Sequence, residues 1–107
     1  MVKRNASIKQ LAKEVSKFLS QHIRINKIIL FGSYVDGRFH KDSDIDLAII
    51  SEDFEKMNIL EKINLLAKVP IMIDSRIELV GFSVKDFKDS DQSSLLNIIK
   101  KRGQILF

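Results

Sequence analysis

Residues 7–22 carry Ile8, Leu11, Val15, Phe18 and Leu19 at helical spacing, with Lys9, Lys13 and Lys17 on the opposite side. That pattern predicts an amphipathic helix with Ser7 as its N-cap. The apolar run over residues 27–31 reads as a buried strand, broken by Gly32-Ser33. Residues 34–41 hold Gly37 among polar neighbours and predict a short helical turn followed by a loop. A second strand is expected over residues 44–50, its alternation placing Asp44 and Asp46 on one face and Ile45, Leu47 and Ile49 on the other. Residues 54–68 predict a second helix with Ile59, Ile63 and Leu66 as its apolar stripe and Pro70 marking its end. Residues 71–75 fit either loop or strand. Residues 76–80 predict a third strand ended by Gly81, and residues 84–87 a turn or short helix. A last helix is expected over residues 93–102, built on Leu95, Leu96, Ile98 and Ile99 and capped by Gly103, before a closing strand or tail over residues 104–107. Phe18, Phe31, Phe54, Phe82, Phe87 and Phe107 are expected in the core. The order predicts an α/β (α+β) fold: one domain over residues 1–107, with a small mixed β-sheet of three or four strands flanked by helices.

Composition narrows the function classes. A chain of 107 residues with 45% hydrophobic and 30% charged residues is an ordinary globular domain. It has no cysteine, which excludes a disulfide framework, a Cys-ligated zinc site and a thiol nucleophile. His22 and His40 are too few for a His-rich metal centre, and His40 is expected in solvent. No apolar run approaches the roughly 20 residues that span a bilayer, and no signal core follows Met1. A cytoplasmic protein with no membrane partner is expected. So short a chain has little material to enclose a large substrate, so a partner or a second copy, as homodimer or hetero-oligomer, is expected to complete any such site.

Charge is unevenly placed. Residues 1–27 hold seven bases and one acid, Glu14, whereas residues 36–55 hold seven acids against Arg38 and Lys41. Lys100, Lys101 and Arg102 form a second basic cluster. This fits a metal-binding acidic centre with basic surfaces for an acidic partner, and it fits solvated helix faces equally. Aromatic residues do not interleave with the bases, which weakens any nucleic-acid reading.

The chemistry concentrates where a strand ends in Gly32-Ser33 and the next begins with Asp44-Ile45-Asp46. Glycine lets a phosphate approach the main chain, outward N–H groups at such a turn favour an anion, and serine adds a donor. Alone, Gly-Ser is an ordinary turn. Two aspartates two apart on an apolar strand repel one another unless a cation lies between them, and oxygen ligands suit Mg²⁺ or Mn²⁺. Alone, Asp-x-Asp also fits a turn cap followed by an edge residue. Glu78, between Ile77 and Leu79 on the third strand, is the candidate third acid, and Asp74 is its competitor.

Together, Gly32-Ser33, the ten-residue gap and Asp44-Ile45-Asp46 resemble the signature of the DNA polymerase β-like nucleotidyltransferases, and in particular their minimal branch. The stretch Arg76-Ile77-Glu78-Leu79 looks like that family's third-carboxylate strand, with Glu in place of the more usual Asp. The resemblance implies transfer of a nucleoside monophosphate, AMP from ATP, onto a hydroxyl with release of pyrophosphate. It implies Gly32 and Ser33 on the β- and γ-phosphates, and Asp44, Asp46 and Glu78 as catalytic ligands of two Mg²⁺. Minimal nucleotidyltransferases are often antitoxins paired with HEPN-domain toxins, which implies a separately encoded HEPN partner and a tyrosine acceptor. One departure matters. Members commonly carry a basic residue four positions after the glycine, and here Asp36 stands there. Arg38, Lys41 or Arg76 is then expected to supply the missing charge. A rival reading keeps the fold without catalysis, as a subunit that neutralises its partner by stoichiometric binding.

Overall fold

The computed structural model describes residues 4–37, 43–89 and 94–107. Helix α1 spans Arg4–Leu19, so Ser7 lies inside it rather than at its cap; nothing in Arg4-Asn5-Ala6 breaks a helical backbone. Its predicted stripe is the buried one: Ile8, Val15 and Leu19 enter the core while Lys9, Lys13 and Lys17 face solvent. Strand β1 (Lys27–Phe31) leads through Gly32 into the four-residue α2 (Ser33–Asp36) and then β2 (Ile45–Ile50). A 3-10 turn at Glu52–Glu55 occupies the place expected for the start of the second helix.

Helix α3 (Ile59–Met72) begins later and ends later than its periodicity predicts. Its start is set by Asn58, whose side chain accepts from Glu61 N–H at 2.8 Å while the Glu61 carboxylate accepts from Asn58 N–H at 2.9 Å. Pro70 does not end it: the buried Val69 anchors the last turn, and Ile73 N–H still donates to the Val69 carbonyl at 2.8 Å. The buried stripe is Leu65, Leu66 and Val69; Ile59 and Ile63 are exposed, contrary to the predicted stripe.

Strand β3 (Ile77–Phe82) runs through Gly81 rather than ending there. A Cβ at Gly81 would lie 2.8 Å from the Phe54 ring, so glycine serves close packing at this point, not a turn. Helices α4 (Val84–Lys88) and α5 (Ser94–Arg102) follow, then the two-residue β4 (Gln104–Ile105). Ser83 caps α4 by accepting from Asp86 N–H at 3.0 Å. Gly103 N–H closes α5 on the Ile99 carbonyl at 2.8 Å. Phe107 is exposed rather than in the core, because only its backbone, at Ile28 O, is drawn to the sheet.

The sheet order is β3-β2-β1-β4, with β2 and β3 parallel and both of β1's pairings antiparallel. One face carries Ile28, Leu30, Ile45, Leu47, Ile49 and Ile77 against α1 and α3. The other carries Ile29, Ala48 and Ile50 against Ile99, Phe87 and Val84 of the later helices. By strand alternation Asp46 and Glu78 share this second face.

Candidate active site

The site lies where β1 ends and the parallel strands β2 and β3 begin. Phe31 is the register partner of Asp46 across the antiparallel pair, and Asp46 is the register partner of Glu78 across the parallel one. Adjacent strands lie about 4.8 Å apart, so this register alone brings the two carboxylates together. Burial, then the charge of Glu78, then a side-chain hydrogen bond with Glu78, and last the charge of Asp44 push the Asp46 carboxyl up from 3.8 to about 6.

Gly32 completes the geometry. Its φ of 82° and ψ of −151° belong to a region open to glycine almost alone. A Cβ built there would collide with the Asp46 carboxylate. Any side chain at position 32 would fill the space in front of the acid. The turn is tied down by Val35 and Asp36 N–H groups, both donating to the Gly32 carbonyl at 3.1 Å. Ser33 opens α2 directly beside this space, and Tyr34 and Val35 pack against the α1/α3 side of the core.

The remaining candidates separate. Asp44 is exposed and precedes β2 instead of lying on it. Among the described residues no group of three His, Asp or Glu side chains gathers closely enough to hold an ion, so the structure unites two of the three predicted acids and leaves Asp44 at their flank. Asp74, the competitor of Glu78, is engaged elsewhere. Its carboxylate accepts from Arg76 Nε at 3.1 Å, from Arg76 NH2 at 3.0 Å and from Arg76 N–H at 2.9 Å. The Arg76 guanidinium holds the Asp74 carboxyl below its usual range. Arg76 is therefore a clamped cation whose carbonyl anchors Ile45 N–H at 2.8 Å, on the threshold of the Asp46 strand. Arg38, His40 and Lys41 lie outside the described residues. Asp36 is exposed at the last position of α2. Sequence reasoning missed Lys62, whose Nζ reaches the Gly81 carbonyl at 2.9 Å and lies 5.7 Å from the centre of the Phe54 ring. A lysine within a helix gives no signal of such a tertiary contact.

The donor set is hard and anionic, and the like charge of Glu78 is among the causes that raise the Asp46 carboxyl. That chemistry fits a divalent metal such as Mg²⁺.

The family model described as "Polymerase beta, Nucleotidyltransferase" matches residues 13–107. This chain belongs to that family. A putative protein adenylyltransferase of Methanocaldococcus jannaschii is 43% identical to the nucleotidyltransferase chain over 86 residues, 78% of this chain and 80% of that one. The protein adenylyltransferase MntA of Shewanella oneidensis is 34% identical over 68 residues, 63% of this chain and 48% of that protein; the match thus spans about half that relative's length. Among solved structures, a toxin–antitoxin crystal structure with AMP-PNP superposes with a TM-score of 0.65 at 28% identity, covering 89% of this chain and 71% of that one. Among the described residues no helix is long and apolar enough to cross a membrane.

Proposed function

We propose that this nucleotidyltransferase moves AMP from ATP onto a tyrosine hydroxyl of a separately encoded HEPN-domain toxin, acting in the cytoplasm as its antitoxin. One observation carries the reading: Asp46 and Glu78 meet at the open end of the sheet, beside a turn at which the Asp46 carboxylate lies so close to the backbone that only glycine fits. The relatives named as protein adenylyltransferases, and the toxin–antitoxin structure with AMP-PNP, support the donor and the type of partner.

In this reading Gly32 and Ser33 hold the β- and γ-phosphates, with Arg38 as a further phosphate contact. The acceptor oxygen forms a bond to the α-phosphorus as the bond from that phosphorus to the β-phosphate bridging oxygen breaks. Pyrophosphate leaves with the electron pair, and Glu78, exposed at the mouth of the site, takes the hydroxyl proton. Asp46 and Glu78, with Asp44 at their flank, would hold Mg²⁺, which would supply the charge neutralisation a triphosphate requires. The rest is positioning.

Transfer of labelled AMP from ATP to the purified HEPN partner in Mg²⁺ tests this, comparing wild type with the Asp44→Ala/Asp46→Ala variant. Labelling by the wild type alone is expected. Equal labelling by both removes the carboxylates from catalysis. Neutralisation of the partner by the unlabelling variant shows that binding alone suffices.

A further inference from the structure

Strand β3 is the outer strand of the sheet, and its bonds show which backbone groups are already engaged. Ile45 N–H donates to Arg76 O at 2.8 Å and Ser51 N–H to Phe82 O at 3.0 Å. Even-numbered residues of β3 therefore turn their N–H and C=O towards β2, and odd-numbered residues turn theirs outwards. Two outward groups are closed within the chain: Ile77 N–H donates to Asp74 O at 3.1 Å, and Lys62 Nζ donates to Gly81 O at 2.9 Å. Among the described residues, what remains along the edge is Ile77 C=O, Leu79 N–H, Leu79 C=O and Gly81 N–H.

That pattern is its own complement. When a second β3 is laid antiparallel with Leu79 opposite Leu79, each leucine donates to and accepts from the other, and each Gly81 N–H meets an Ile77 C=O. No open group is left over. The closed groups, Ile77 N–H and Gly81 C=O, fall opposite one another, so their internal bonds cost the pairing nothing. Sliding the partner by two residues sets an open group against a closed one.

The side chains above this edge agree with the same axis. At 100° per residue, Ile59, Leu60, Ile63, Ala67, Pro70 and Ile71 form a second apolar stripe on α3, adjoining the buried Leu65, Leu66 and Val69 and free of charge. Ile63 is 52% and Ile71 84% exposed, so the stripe is uncovered. Between it and the β3 edge runs a groove of about 640 Å³, lined by Ile63, Ala67, Pro70, Leu79 and Leu95 and reaching Glu78. An open strand edge beside an apolar stripe is an association surface.

We propose that β3 is the edge at which two copies of this chain join about a twofold axis, their sheets running into one and their α3 stripes packing against each other. This goes beyond the reaction proposed above and does not rest on it. In the pair, Glu78 of each copy lies opposite Val80 of the second copy, so the second copy finishes the outer wall of each site.

Sedimentation of the wild type across a dilution series up to about 100 µM is expected to show a reversible dimer. The Ile63→Glu/Ala67→Glu variant changes two exposed side chains, and is expected to keep its circular dichroism while its dimer dissociation constant rises at least about tenfold. The chain has no cysteine, so Leu79→Cys introduces a single thiol. Cα atoms of such a hydrogen-bonded pair lie about 5.5 Å apart, within disulfide range, so mild oxidation is expected to link two copies, whereas Lys101→Cys on the exposed side of α5 does not. A monomeric wild type, a dimer indifferent to the paired glutamates, or a folded Leu79→Cys variant that does not cross-link each overturns the proposal. If Leu79→Cys does not fold, the glutamate variant decides alone.

Discussion

The two faces of β2 do opposite work. Ile45, Leu47 and Ile49 are fully buried against α1 and α3, in the densest part of the molecule. On the other face the strand opens with Asp46 hard against Glu78, and only at Ala48 and Ile50 does it become core. A like-charged pair at a sheet end costs stability, so the opposite face must hold the strand in register. The difference shows that one strand can be rigid because of its buried side and reactive because of its open side. Folding and chemistry should therefore separate by residue parity.

The sharpest separation is expected from Asp46→Asn. Transfer of AMP falls about a thousandfold, since a group stabilising the transition state is lost. The melting temperature of the metal-free protein at neutral pH rises, because a partly buried charge facing Glu78 is gone; calorimetry beside the transfer assay checks both. Loss of stability together with activity would break the comparison. Leu47→Ala, one residue on, is expected to cost about 3 kcal/mol of unfolding free energy in urea titration and to leave the activity of the folded fraction nearly unchanged.

Gly32→Ala lies between the two cases. Its backbone conformation costs a non-glycine residue about 1–3 kcal/mol, and its methyl group meets the Asp46 carboxylate. Thermal unfolding is expected at a lower temperature, and ATP with Mg²⁺ is expected to raise the melting temperature of the wild type but not of this variant.

The smallest effect is in pH. The Asp46 carboxyl is raised from 3.8 to about 6, so the folded state holds more protons than the unfolded one between those values. Its contribution is whole below 3.8 and is lost as pH rises through about 6. Metal-free wild type is expected to lose stability over that interval relative to Asp46→Asn, which lacks the titration. Asp74 acts in the opposite direction and at lower pH: its depressed pKa gives stability that is lost only as acid protonates it. The difference between the two proteins isolates the Asp46 contribution.

Much of this was legible in the chain. Alternation in residues 44–50 separated the two faces of β2 correctly, and the spacing from Gly32-Ser33 to Asp46 marked the turn and strand that now face each other. Glu78 could be nominated from its apolar neighbours, but only the parallel register set it beside Asp46, and only the Arg76 clamp showed Asp74 to be occupied. In helix α3 the apolar residues are so numerous that two stripes fit the same periodicity, and only the tertiary packing of Leu65, Leu66 and Val69 shows which one meets the sheet. Pro70 reads as a stop because propensity cannot weigh a buried Val69 beside it. Gly81 reads as a break because a glycine needed for close packing looks, in sequence, like one needed for a turn.

The contact of Lys62 with the Gly81 carbonyl has a consequence for solubility. It occupies the Gly81 carbonyl, one acceptor on the β3 edge, and so leaves fewer groups there for a stray strand to pair with. Acetylating that amine, or replacing it by glutamine, would trade a tethered cation for a neutral group and lengthen the sticky margin by one carbonyl.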